Sequence, residues 1–191
     1  MNKKIAPNKF DKNGLNLKHG LQAEHSFAQI AKAKGWEIYK PSSYQDINEH
    51  WDMEIRKGEE NYKVDIKAMK KLSRKDPTPQ DKWHWIELHG VRKNDKGWLY
   101  GGKADLIAFE TETSFIIVKR ENLIKFIESK VDFSARVNSS YDAKYKIYQR
   151  KNRYDKLTLV KTSDLRKIKW DEWKKHPLTQ SKGNSSNKNN R

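Results

Sequence analysis

Trp51-Asp52-Met53-Glu54-Ile55-Arg56 and then Tyr62-Lys63-Val64-Asp65-Ile66-Lys67-Ala68-Met69 form the stretch whose reading decides the fold. In an extended strand successive side chains alternate between two faces. Met53 and Ile55 therefore share one face of the first run, and Asp52 and Glu54 the other. In the second run Tyr62, Val64, Ile66 and Ala68 point one way, and Lys63, Asp65 and Lys67 the opposite way. Lys57-Gly58-Glu59-Glu60-Asn61 between them predicts a hairpin loop. Pairing of the two strands places Asp52 beside Asp65, with Lys67 ~6.6 Å from Asp65 along the same face. Clustered carboxylates bind a hard divalent cation. Such a cation polarises a phosphate and activates a bound water, and a nearby lysine stabilises charge on phosphoryl oxygens. The pattern points to phosphodiester hydrolysis.

Outward from this hairpin, helix and strand signals alternate. Residues 21–34 predict a helix stopped by Gly35, with Leu21, Phe27, Ala28, Ile30 and Ala31 as its apolar stripe. Glu24 falls on that stripe, three residues from Leu21 and from Phe27 and four from Ala28, so it faces inward. Residues 36–39 predict a short strand, and 46–51 a loop or helical turn. Pro77 and Pro79 break the chain over 76–81. Residues 83–90, 98–100, 104–110 and 114–119 predict strands, 121–130 a helix burying Leu123, Ile124 and Ile127, and 156–161 another strand. Residues 163–169 with 170–174 predict a final helical region. The order implies an α/β fold of the mixed α+β kind, a central mixed sheet flanked by helices.

The 191 residues suit one domain. The expected division is a basic arm over 1–19, a single domain over 20–176, and a Ser/Asn/Lys-rich tail over 177–191 that reads as disordered. Lys and Arg number 41 against 25 Asp and Glu, giving a formal net charge of +16. A field of that sign attracts polyanions. No run approaches the ~18 apolar residues that a membrane span needs, and the lysines of Met1–Phe10 have no apolar run behind them, which reads as no secretory signal. Nucleic acid is thus the expected partner, DNA ahead of RNA although charge alone does not separate the two. There are no cysteines, which excludes disulfides, thiolate zinc sites and cysteine nucleophiles. Carboxylate ligands suit magnesium, with manganese as a substitute. No organic cofactor is expected, and a cytoplasmic location is.

The sequence Asp52, then Asp65-Ile66-Lys67 thirteen positions on, preceded by a helix carrying Glu24, resembles the PD-(D/E)XK or restriction-endonuclease-like superfamily. The resemblance covers Leu21–Met69 closely and 83–119, with the helix that follows, more loosely. Trp51 stands where the family name has Pro. The run from Tyr148 to Asp155 looks like small phage-encoded members, which would act inside a host cell. The resemblance implies a metal-dependent nuclease. Asp52, Asp65 and Glu24, with the backbone of Ile66, would be its metal ligands, and Lys67 its catalytic lysine. Many members act as dimers, so a homodimer is an open expectation.

Other residues carry weaker signals. Lys70, Lys71 and Arg74 follow the second strand and are candidates for phosphate contact, as are Arg150 and Arg153. His84 and His89 fall on opposite strand faces and make a poor ligand pair, and His25 reads as surface. Trp83, Trp85 and Trp98 read as core, while Glu87 could line a cleft. Competing readings are a nucleic-acid-binding module without chemistry and a nuclease acting on RNA. Acids set inside a basic surface repel phosphate, and a pure binder has no need of them.

Overall fold

The computed structural model describes residues 15–42, 45, 49–150 and 152–175. The expected tail lies outside these residues, as does the arm up to residue 14. Helix α1 spans Leu15–Ala33, starting six residues ahead of the expected Leu21. Ala23, Phe27, Ile30 and Ala31 are its buried positions, one stripe at helical spacing, whereas Leu21 is exposed. Gly35, with φ of 84°, turns the chain out of the helix.

Among the described residues the strands form two sheets. The first has the order β1 (Glu37–Tyr39), β2 (Met53–Lys57), β3 (Glu60–Lys67), β5 (Leu106–Glu110), β6 (Ser114–Lys119) and β10 (Asp171–Lys174). The second runs β4 (Trp83–His89), β9 (Lys156–Lys161), β8 (Lys146–Gln149) and β7 (Asp132–Val137). The β2–β3 hairpin pairs Met53 with Val64 and Lys57 with Glu60. Its turn is only Gly58-Glu59, tighter than the five-residue loop expected, with Gly58 at φ of 60°. Strand β3 then pairs β5 in parallel. The long crossover this requires carries β4 and the short helix α2 (Gly97–Gly101).

Alternation within β5 and β6 sorts the interior into layers. Leu106, Ala108, Phe115 and Ile117 join α1, Met53, Ile55, Val64 and Ile66 in one cluster. Ile107, Phe109, Ile116 and Val118 face the other way. There they meet Ile86, Ile147 and Val160 of the second sheet and Leu123 and Ile127 of α3 (Arg120–Lys130). Central strands apolar on both faces must be covered on both. The result is a mixed α+β domain of three layers: α1, the six-stranded sheet, and the second sheet with α3.

Three expectations are corrected. Residues 98–100 are helical rather than a strand: adjacent Trp98 and Leu99 are both buried, which alternation forbids and a helical turn allows. Residues 170–174 are not helical. Helix α4 (Thr162–Lys167) ends before them, and β10 pairs antiparallel with β6. Trp170 and Trp173 at a spacing of three mimic a helical stripe. In fact Trp173 stacks on Phe27 at 5.0 Å and is almost fully buried. Strands β7 and β8 were not anticipated, because most of their residues are exposed or half-buried and show no apolar alternation.

Candidate active site

Strands β2 and β3 turn Met53, Ile55, Val64 and Ile66 toward α1, so Asp65 and Lys67 emerge on the opposite face. Asp52 sits one residue before β2, yet its N–H still bonds the Val64 carbonyl at 2.9 Å. Its Oδ2 accepts the Ile66 N–H at 2.6 Å. This single backbone bond clamps the first carboxylate against the strand that carries the second.

Asp65 is 4% exposed. Lys67 Nζ stands 2.7 Å from Asp65 Oδ2. The contact is an ion pair without hydrogen-bond alignment, so this buried oxygen has no hydrogen-bond donor. The Lys67 ammonium also lies 4.4 Å from the centre of the Trp98 ring, a cation–π distance that restrains it on its second side. Lys67 is therefore held by a carboxylate from its own strand and an indole from the crossover helix α2.

Burial raises the Asp52 carboxyl from its ordinary 3.8 to about 7, and the neighbouring Asp65 adds to the rise. The Ile66 N–H and Lys67 oppose it, and Glu24 contributes a smaller push upward. Two carboxylates sharing one poorly solvated place disfavour ionisation of one of them. A strongly perturbed carboxyl beside a second carboxylate and a lysine makes this place a candidate functional site.

The structure thus brings together Asp52, Asp65 and Lys67. Glu24 stays at the margin, its Oε2 at 3.1 Å from Lys40 Nζ. Among the described residues no group of three or more His, Asp or Glu side chains converges as a ready metal cage. Two carboxylates nevertheless fit magnesium, which keeps several waters and is held by one or two carboxylates plus substrate phosphate. Asp52 and Asp65 are the residues that could hold it.

Glu87 on β4 joins the site from the second sheet. Burial raises its pKa, Lys67 and Lys70 oppose the rise, Asp95 adds to it, and the Trp98 N–H is a hydrogen-bond donor to it. Alternation had set Glu87 opposite Ile86 and Leu88, the one sign in the sequence that it could line a cleft. Trp98 as the restraint on Lys67 has no such sign, since its sequence context marks it only as core. His84 is buried against Phe109, ring centres 5.1 Å apart, and burial pushes its pKa down to about 4. His89, of opposite parity, faces the other way, as expected, with Nδ1 2.8 Å from the Gly90 carbonyl.

Lys70, Lys71 and Arg74 are exposed on the loop that leaves β3. That loop is tied down by Gln80, whose N–H and Nε2 both bond the Lys70 carbonyl, at 3.3 and 3.1 Å. The Trp85 indole in turn donates to the Lys71 carbonyl at 3.1 Å. Arg153 is exposed, while Arg150 is ion-paired with the buried Asp155. No described helix is long and apolar enough to cross a membrane.

No family model and no curated protein sequence matches the chain. Among solved structures, a bacterial homing endonuclease, I-Ssp6803I, aligns over 57% of this chain and 72% of its own, with 15% sequence identity and a TM-score of 0.40. A TM-score at that level falls short of a shared fold.

Proposed function

We propose that this protein is a metal-dependent DNA endonuclease of the PD-(D/E)XK type, with Asp52, Asp65 and Lys67 at its centre. The observation that carries the reading is the buried Asp65 oxygen without a hydrogen-bond donor, flanked by Asp52 and ion-paired with Lys67. Two carboxylates drawn out of water side by side are costly unless something cationic uses them.

Asp52 and Asp65 would hold magnesium, or manganese in its place, with the Ile66 carbonyl and Glu24 as further candidates from that side. Bound there, the ion supplies charge neutralisation at the scissile phosphate and a water of lowered pKa. The Ile66 N–H keeps Asp52 in place for that task. Lys67 presents a positive charge to the phosphoryl oxygens, where negative charge grows in the transition state. Trp98 and the Asp65 carboxylate hold its ammonium in position, so little reorganisation is needed at the moment of reaction. Glu87 closes the site from the second sheet. Lys70, Lys71 and Arg74 border it and serve as phosphate contacts, positioning the backbone without reading sequence.

The test is a cleavage assay on supercoiled, linear duplex, single-stranded and branched DNA, with magnesium, manganese or EDTA. Metal-dependent cutting is expected, and its loss in Lys67→Ala. Tight binding without cutting of any DNA would instead point to a binding module, or to RNA as the substrate.

A further inference from the structure

The second sheet carries a groove that the acid pair does not use. It has a volume of about 730 Å³ and lies at the ends of β7 and β8, where Arg136, Asn138, Gln149, Arg150 and Arg153 gather around Tyr148. Arg150 is anchored by the buried Asp155. Among the described residues no carboxylate lines the groove itself.

Strand register connects this groove to the candidate active site. Glu87 pairs with Leu157, Leu157 with Tyr148, and Tyr148 with Val137. Residues paired in register project to the same face of a sheet. One row therefore crosses all four strands on a single face, from the carboxylate beside Lys67 to the floor of the basic groove. Trp85 shares that face by alternation, and its ring centre lies 5.8 Å from that of Tyr148. Three strand spacings separate the ends of the row, about 14 Å. Duplex DNA rises about 3.4 Å per base pair, so the span corresponds to about four base pairs.

We propose that this groove is a second anchoring site for the DNA backbone, gripping phosphates about four base pairs from the scissile bond and fixing the duplex across the outer face of the second sheet. The inference rests on the nuclease reading for its meaning, and not for its measurement. Arginine suits the task, because its planar fork pairs bidentately with phosphate.

The experiment measures binding of a fluorescent duplex of about 30 base pairs without divalent cation, across a series of salt concentrations, so that affinity is read apart from cutting. The groove variant is Arg136→Glu with Arg153→Glu. The control is Lys125→Glu with Lys130→Glu on α3, which changes the net charge equally. Arg136→Gln with Arg153→Gln, checked by circular dichroism, guards against misfolding. The expected result is an affinity loss at least about tenfold beyond the control, with the slope of log K on log salt shallower by about 2 for both groove variants, since two phosphate contacts go. A groove variant that binds like the control, with an unchanged slope, overturns the proposal. Absence of cutting by the wild-type protein, with the groove result intact, would overturn the nuclease reading alone.

Discussion

Asp52→Asn should make the metal-free protein more stable, and only above acidic pH. Folding holds the Asp52 carboxyl at about 7 against an ordinary 3.8. The folded state thus binds this proton more tightly than the unfolded chain does. Stability falls as pH rises through the interval from about 4 to about 7, and the full penalty applies above it. Three pH units at about 1.4 kcal/mol each give an upper bound of about 4 kcal/mol. Asparagine removes the charge and keeps an oxygen for the Ile66 N–H. The gain is therefore expected at about 2–4 kcal/mol at pH 8 and under about 1 kcal/mol near pH 4. For a chain of this size that is a rise in Tm of roughly 5–15 °C at pH 8. Urea denaturation in EDTA at both pH values measures it. A variant no more stable than wild type at pH 8, or one equally stabilised at both, would refute the account of Asp52 as a carboxylate ionised against its surroundings. The same substitution should abolish cleavage, since stability and function here pull in opposite directions.

Further outcomes follow from the same geometry. Asp65→Ala should lose cleavage while duplex DNA binding, followed by gel shift, is unchanged or tighter, because a charge repelling phosphate is gone; a folded variant with weaker binding would count against the assigned role. Lys67→Ala should lower the single-turnover cleavage rate by about 10²–10³ with a smaller effect on affinity. Gly97→Ala should destabilise the protein by about 2 kcal/mol or more in thermal melts: Gly97 has φ of 66°, and a Cβ there would stand 2.9 Å from the His89 nitrogen. It should also slow cleavage through displacement of Trp98. Trp173→Ala should cost about 3–5 kcal/mol in denaturant unfolding, a loss that a tryptophan on a solvated helix face would not show.

Period-two alternation in Asp52–Arg56 and Tyr62–Met69 was enough to place Asp52, Asp65 and Lys67 on one face, because a hairpin fixes register within a few residues and side-chain direction follows from register. Helical spacing likewise identified most of the buried face of α1 and α3, Leu21 excepted, and charge set the expectation of a polyanionic partner. These are local properties, written into neighbouring residues. Glu24 shows the limit of such reasoning: its inward side was legible, but its partner, Lys40, depends on how α1 lies over the chain that follows. The role of Trp98 over Lys67 and the arrival of Glu87 from β4 depend on the crossover between β3 and β5, contacts between residues twenty or more apart that no local pattern encodes. The same holds for β10, where i, i+3 tryptophans imitated a helix until pairing with the edge of β6 gave Trp173 a place in the core. It holds for β7 and β8 as well, whose polar sequences form strands because a neighbouring strand offers backbone hydrogen bonds. Sequence alone determined the chemistry available and the face that bears it. Tertiary structure decided which distant groups restrain that chemistry, because burial and long-range pairing arise only once the two sheets have packed together.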